Sequence, residues 1–487
     1  MDLERRTLLK TGTVAALAGG PFAGFAALPA QAAPRPPREV ELMPVPDRRD
    51  GRVRLHLPRG FSYRSFHDTE QPVVLHDGTV LPGRHDGMGA FPGPKGTSRL
   101  VRNHEVNVTP GAGAFGNPEE AYDPMAGGGT TTIQCTSRGH VNWSRTSLNG
   151  TLMNCSGGVM PWGSWVTCEE TVNGPDVGPD FTGNPNTDLE KPHGYIFEVP
   201  SRGKSNRKPI TRAGRFAHEA VAFDPKRGQL YLTEDNFGFA SGYYRYTPRR
   251  NPMETGRLDN QGVLEMLAVK GEPGKHLEGH QKRGATYQVR WVKIDEPDFE
   301  FDPPAAGQEP PSNNEAIVFV GNQGRAKGAA LFSRLEGQVY DRGVVYFTST
   351  QGGGAAETVE QDDVGGFGNG YGQVWAYDTR RETLTCVYQS PGPEVLDFPD
   401  NVTASPRGTL VVCEDSSGDN YLRGLTRHGK LCDIALNRLT TSDGTPRYGD
   451  EFAGSTFSPS GRTLFVNIQA SRGMSFAIWG PWRSIGV

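Results

Sequence analysis

Acidic residues close three short β-like runs in this chain, and the recurrence gives them chemical meaning. Trp165-Val-Thr-Cys-Glu-Glu ends in Glu169 and Glu170, Leu230-Tyr-Leu-Thr-Glu-Asp in Glu234 and Asp235, and Leu410-Val-Val-Cys-Glu-Asp in Glu414 and Asp415. Asn103 and Glu105 hold the same place in Leu100-Val-Arg-Asn-His-Glu, and Glu219 and Glu336 recur one segment earlier, ahead of a turn. One Glu-Asp pair at a strand end is ordinary solvated surface. Several such carboxylates gathered in one place repel one another unless cations neutralise them. An oxygen-rich set suits a hard cation such as calcium.

Two further residues change the chemistry on offer. Cys155 takes the place that Glu219, Glu336 and Asn401 hold in other copies of the pattern. A thiolate there recruits a transition metal such as iron or zinc; a buried core thiol or half of a disulfide accounts for it equally well. Arg334 precedes Glu336 by two residues, which puts both on one face of a strand. Its guanidinium fork matches phosphate oxygens, and a salt bridge to the acids is its plainer role. Cys168 and Cys413 stand one residue before acidic pairs, so strand alternation turns them into the core. His104 and His218 neighbour candidate residues and read as their structural support. The glycine-rich segment 351–372, with Glu357, Glu360, Asp362 and Asp363, reads as an acidic surface loop; a lid or a further calcium loop is the alternative.

The elements that must position these residues form an internal repeat. Phe216-Ala-His-Glu-Ala-Val-Ala-Phe-Asp-Pro leads through Lys-Arg-Gly to the run ending in Asp235, and Phe398-Pro-Asp-Asn-Val-Thr-Ala-Ser-Pro leads through Arg-Gly to the run ending in Asp415. Similar copies begin at Asn154, Arg334 and Phe452, and a weaker one at Asp86. Six copies, several spaced by roughly 65 residues, suit four-stranded blades with long loops. The expected fold is therefore all-β, a six-bladed β-propeller with long loops and insertions, which turns equivalent loop ends toward one central channel. The longer gap between the third and fourth copies contains the proline-rich stretch Asp302–Pro311, expected to be a surface insertion.

The 64 glycines and 38 prolines fit a chain dominated by turns. A formal net charge of −4 excludes the basic footprint of a nucleic-acid-binding protein. Arg5 and Arg6, the weakly apolar stretch Thr11–Leu28 and the small residues Ala30-Gln31-Ala32 form a twin-arginine export signal over 1–32. A single propeller domain is expected over 33–487, exported to the periplasm, cell surface or medium, not inserted in a membrane, and monomeric. Six cysteines permit disulfides in an exported protein but are too few to frame a chain of 487 residues.

At these residues the chain resembles the PhoX alkaline phosphatase family. The resemblance is carried by Tyr122-Asp-Pro-Met-Ala-Gly-Gly-Gly-Thr-Thr-Thr, Asn154-Cys-Ser-Gly-Gly, Trp162-Gly-Ser-Trp-Val-Thr-Cys-Glu-Glu, His218-Glu-Ala-Val and Tyr231-Leu-Thr-Glu-Asp-Asn. It continues through Leu331-Phe-Ser-Arg-Leu-Glu-Gly, Pro399-Asp-Asn, Val412-Cys-Glu-Asp and Phe452-Ala-Gly-Ser-Thr-Phe-Ser-Pro, covering nearly all of the mature chain in order. It implies hydrolysis of small phosphomonoesters at an iron (Fe3+) and calcium (Ca2+) cluster on the propeller axis. Cys155 would then be the thiolate ligand of iron, Glu170, Glu219 and Glu336 carboxylate ligands, and Arg334 the residue that binds substrate phosphate. Asn103, Asp235, Glu414 and Asp415 are assigned to calcium. Two other readings stand beside this one: a calcium-dependent propeller hydrolase of lactones or phosphotriesters, and a non-catalytic binding propeller with structural calcium. A calcium-only site has no use for a thiolate, which sets the first of these apart.

Overall fold

Each repeat folds as an antiparallel sheet whose first strand runs nearest the axis, because its alternating small and polar residues leave no wide apolar face to bury there. The computed structural model describes residues 40–107, 113–302, 308–357, 366–426 and 429–487. The export signal, Glu360, Asp362, Asp363 and part of the proline-rich stretch lie outside the described residues.

Blade 1 consists of His85–Pro92, Ser98–His104, Gly128–Cys135 and Val141–Thr151. Blade 2 has three strands among the described residues, Asn154–Met160, Ser164–Glu169 and Ile196–Pro200. Blade 3 is His218–Asp224, Gln229–Glu234, Tyr243–Pro248 and Gly262–Val269. Blade 4 is Leu335–Asp341, Val344–Ser349, Gln373–Asp378 and Thr383–Gln389. Blade 5 is Pro399–Ala404, Leu410–Glu414, Tyr421–Leu425 and Leu431–Asn437. Blade 6 is Phe452–Phe457, Thr463–Ile468 and Met474–Trp479, completed by Ser62–Phe66 from the other end of the chain.

That last pairing closes the ring. Ser62–Phe66 pairs antiparallel with Met474–Trp479, and Val53–Pro58 adds to the outer edge of blade 5, so both edges that a linear array would expose are covered. Innermost strands of successive blades pack against one another all the way round, blade 6 against blade 1 included. Glycine permits this approach. A Cβ on Gly87 would lie 2.6 Å from Ser156 Cα of blade 2, and one on Gly337 would lie 2.6 Å from Asn401 Cα of blade 5.

The hydrophobic core lies between blades rather than in the channel. Val411, Leu422, Phe452, Leu464 and Phe476 fill the space between blades 5 and 6, and Val166, Ile196, Phe216, Leu232 and Tyr244 that between blades 2 and 3. Tyr243 stacks on Phe347 at 4.3 Å between blades 3 and 4. Those two blades are also fused: an extra strand, Thr286–Lys293, pairs with Gly262–Val269 on one side and Thr383–Gln389 on the other. This strand and the short helices Asn313–Ile317 and Phe319–Ala326 account for the long gap in the repeat. All six cysteines are free thiols, and Cys168 and Cys413 are buried in the core. No helix among the described residues is long and apolar enough to cross a membrane.

Candidate active site

The same irregularity recurs in every blade at one end of the channel. The paired positions His85–His104, Asn154–Glu169, His218–Glu234, Leu335–Ser349 and Pro399–Glu414 are each followed by a break in register; in blade 6 the equivalent pair is Phe452–Ile468, and the break comes one residue later, after Ala453–Asn467. A bulge re-aims the side chain beside it. Here it turns the second residue of each inner strand toward the axis: Asp86, Cys155, Glu219, Glu336, Asp400 and Ala453. The residue after each partner position on the second strand forms a ring above them, Glu105, Glu170, Asp235, Thr350, Asp415 and Gln469. Each of these six donates its N–H, at 2.9 to 3.2 Å, to the carbonyl of the residue before the inner strand, namely Arg84, Met153, Ala217, Arg334, Phe398 and Glu451. Four of those last six are held in the left-handed region, with φ of 46° at Arg84, 46° at Met153, 38° at Arg334 and 47° at Phe398. Backbone strain of this kind persists where surrounding structure over-determines it, and it clusters at functional sites.

The rings bring donor atoms within reach of common points. Cys155 Sγ and one oxygen each of Glu170 and Glu219 lie within 4.8 Å of one another, as do oxygens of Glu219, Glu336 and Asp400. Glu219 thus belongs to both groups. The thiol donates toward His218 O at 3.2 Å, and burial, then the carboxylates of Glu219 and Glu170, push its pKa up. Burial followed by mutual repulsion raises Glu170, Glu219 and Glu336 well above the usual carboxylate range. The same causes raise Asp86 and bring Asp400 to about 7. Asp86 Oδ1 is buried without a hydrogen-bond partner. Asp235 moves the other way: burial pushes it up, but the Arg334 guanidinium brings it below its ordinary value. Arg334 donates from Nε to Asp235 Oδ1 at 3.1 Å and from Nη2 to Asp235 Oδ2 at 2.8 Å and Glu336 Oε1 at 2.9 Å.

The structure does not gather every residue expected there. Glu169, Glu234 and Glu414 occupy the partner positions and turn away from the axis into their own blades. Glu169 accepts from Leu152 N, His193 Nδ1, Gly194 N and Tyr195 N. Glu234 accepts from Gly242 N and Tyr244 Oη, and Glu414 from Asp397 N, Tyr421 N and Arg423 Nε. These carboxylates tie loops to strands. Asn103 is likewise engaged: Nδ2 donates to Cys155 O and Ser156 O, and Oδ1 accepts from Trp165 Nε1. Asp415 is half-buried beside the ring and raises the pKa of Asp400 by repulsion. His104 bonds Gly83 O and Thr131 Oγ1, and His218 bonds Gly214 O and stacks on Phe216, so both are structural. Glu357 accepts from Gly368 N, in a loop around Glu278.

One equivalence is corrected. Because Pro399 pairs with Glu414, Asp400 rather than Asn401 holds the place of Cys155 in blade 5. Asn401 supports it, donating from Nδ2 to Asp400 Oδ1 at 2.8 Å and accepting from Gly454 N. Sequence reasoning also passed over Asp86, Glu451 and Arg84. Asp86 opens the weakest copy of the repeat, and the others precede inner strands, where only the strand register reveals their equivalence to Arg334.

A thiol and a set of carboxylates too close together to remain charged on their own, with a guanidinium at the edge, can hold several cations and offer them, with the arginine, to an anion. The family described as "Alkaline phosphatase PhoX" matches residues 40–148 and 138–471. Among solved structures, Pseudomonas fluorescens PhoX in complex with vanadate, a transition state analogue, is 18% identical, with a TM-score of 0.64 over 91% of this chain and 98% of that one. Virginiamycin B lyase from Staphylococcus aureus, with quinupristin, is 11% identical, with a TM-score of 0.37 over 86% of this chain and 99% of that one. No curated protein matches the chain. A closed propeller with its bulged strand ends turned onto one acidic axis, together with a family match that spans nearly every described residue, places this chain in the PhoX alkaline phosphatase family, as a phosphoric monoester hydrolase.

Proposed function

We propose that this phosphatase works through a cluster of iron and calcium on the propeller axis, with Arg334 binding the phosphoryl group. The observation that carries this reading is the shared carboxylate: Glu219 joins a group with a thiol, Cys155 and Glu170, to an all-oxygen group, Glu336 and Asp400. A thiolate-containing set suits iron and an oxygen set suits calcium. Cys155, Glu170 and Glu219 would hold the iron, and Glu219, Glu336 and Asp400 a calcium. Asp86, Glu105 and Asp415 offer further oxygens, whereas both oxygens of Asp235 accept from Arg334, and Asn103 and Glu414 are engaged by their own neighbours. When bound, such a cluster supplies Lewis acidity toward phosphoryl oxygens.

The chain's own residues do the rest. Asp235 and Glu336 fix the Arg334 fork from two sides, so the guanidinium is oriented before substrate arrives. Its Nη1 has no hydrogen-bond partner among the described residues and remains to donate to a phosphate oxygen. Burial of Glu219, Glu336 and Asp400 keeps bulk water from weakening these contacts. The vanadate complex of the Pseudomonas relative supports a phosphoryl site on this fold.

Elemental analysis of protein matured by native export should find both iron and calcium, and chelation should abolish turnover of p-nitrophenyl phosphate. The stripped protein should also lose stability as pH rises. Asp400 stands at about 7 against an ordinary 3.8, so its contribution is fully present below about pH 4 and lost through pH 7, and the other raised carboxylates act in the same sense. Its melting temperature should fall by several degrees between pH 5 and pH 8, and refilling with metal should remove that slope. An active enzyme that holds calcium alone would sink the mixed cluster.

We further infer export by the twin-arginine route, supported by Arg5-Arg6, the weakly apolar stretch behind it and Ala30-Gln31-Ala32. Arg5→Lys with Arg6→Lys should leave precursor in the cytoplasm. Normal export of that double variant on cell fractionation would defeat the inference.

A further inference from the structure

Three blades away from Arg334, at the same position of the repeat, stands a second arginine. Arg84 precedes the inner strand of blade 1 as Arg334 precedes that of blade 4. In a ring of six the two lie on opposite sides of the axis. Their backbones match: both have positive φ, and both accept an N–H at the carbonyl, from Glu105 and Thr350 respectively. Arg84 is further pinned by its own N–H, which donates to Ala470 O at 2.6 Å. The other four places in this ring hold Met153, Ala217, Phe398 and Glu451. Among the described residues, Arg84 and Arg334 are therefore the two cations of the ring.

Their side chains are also held alike, with one difference that matters. Arg84 donates from Nε to Glu105 O at 2.5 Å and from Nη2 to Glu105 Oε2 at 2.8 Å. As at Arg334, Nη1 has no hydrogen-bond partner among the described residues. Glu105 turns inward, at 7% side-chain exposure, and also accepts from Gln469. Arg84 is 42% exposed, against 18% for Arg334. Its guanidinium thus stands at the mouth, oriented by a carboxylate of the ring yet open to solvent. On the far side, Phe237 lies 5.8 Å from the Arg334 guanidinium and is half exposed.

The strained, doubly anchored backbone is shared with Met153 and Phe398 and belongs to the repeat; what sets Arg84 apart is a guanidinium held by Glu105 yet half open, opposite Arg334, with Nη1 left unpaired among the described residues. We propose that Arg84 forms a second anion subsite, which selects phosphomonoesters whose alcohol part carries another anionic group, a carboxylate or a second phosphate. This rests on the reading of Arg334 as the residue that takes the reacting phosphate. With that phosphate on the blade 3–4 side, the remainder of a small substrate extends across the axis toward blade 1, where an unoccupied N–H meets it. An oriented, charged N–H donor discriminates between a carboxylate and a hydroxyl, since the ionised acceptor makes the shorter and stronger hydrogen bond.

The test uses the metal-loaded full chain and two three-carbon monoesters, 3-phosphoglycerate and glycerol 3-phosphate, which differ by a carboxylate against a hydroxymethyl group. The wild type should prefer 3-phosphoglycerate in kcat/KM. Arg84→Gln should reduce that preference by about tenfold, the scale of one charge-assisted hydrogen bond, mainly through KM. Arg84→Lys, which keeps the charge without the two-point hold of Glu105 on Nε and Nη2, should retain part of the preference. The absence of any preference in the wild type would overturn the subsite while leaving the phosphatase centre intact. So would a parallel fall for both substrates in Arg84→Gln, which would place Arg84 on the reacting phosphate or in the fold. No turnover of either monoester would overturn the reading of Arg334 and the subsite with it.

Discussion

Cys155→Ala should abolish transition-metal binding and reduce phosphomonoester turnover on the order of a thousandfold or more, while the propeller remains folded. The two halves of this expectation have separate causes. Cys155 is the one thiol among the axial donors, and the carboxylates that share its site, Glu170 and Glu219, are hard ligands that hold calcium as readily as iron. Removing the sulfur removes the preference for a transition metal. The fold, by contrast, loses little. Cys155 lies at the end of an inner strand, where it touches His218 O and Glu219 O, and it is one small member of the cluster between blades 2 and 3 to which the larger Val166, Ile196, Phe216 and Leu232 also belong. Deleting one buried sulfur there costs on the order of 1 kcal/mol. Iron content, calcium content, turnover and melting temperature measured on one preparation decide the matter. An alanine variant that keeps its iron and its activity would return Cys155 to the role of a core thiol.

Arg334→Ala should lower turnover of p-nitrophenyl phosphate by about two to three decades, equivalent to roughly 2–4 kcal/mol of transition-state stabilisation. The magnitude is that of an oriented donor aimed at developing charge, and the orientation is visible: Asp235 grips Nε and Nη2, and Glu336 grips Nη2. A structural arginine would behave differently. Its loss would leave Asp235 and Glu336 uncompensated, which destabilises the metal-free protein, yet an acidic site that loses a positive charge binds cations no more weakly. Metal content should therefore persist as turnover falls, and inhibition by inorganic phosphate should weaken in parallel. Arg334→Lys should fall between, since the charge is kept and the fork is lost. Unchanged turnover together with unchanged phosphate inhibition would remove Arg334 from the site.

Much of this centre is legible in the order of residues, for a physical reason. A propeller repeats one strand arrangement around an axis, so a residue type that recurs at one place in the repeat meets its equivalents in space. Cys155, Glu219, Glu336 and Arg334 could be placed together on that ground alone, and so could the turning of Cys168 and Cys413 into the core. What the sequence left undecided is the side-chain direction at each strand end. Glu169-Glu170, Glu234-Asp235 and Glu414-Asp415 look alike as pairs, and strand alternation sends their members opposite ways. Only the pairing of each first acid with the start of an inner strand shows that Glu169, Glu234 and Glu414 bond their own blades, leaving Glu170, Asp235 and Asp415 on the axial side. The bulge that follows each pair breaks the simple period of two, which is why Asn401 reads as equivalent to Cys155 when Asp400 takes its place. Asp86, Glu451 and Arg84 needed the ring itself. Each is an unremarked residue in its own segment, and becomes part of the site because closure by Ser62–Phe66 brings blades 6 and 1 together across the two ends of the chain.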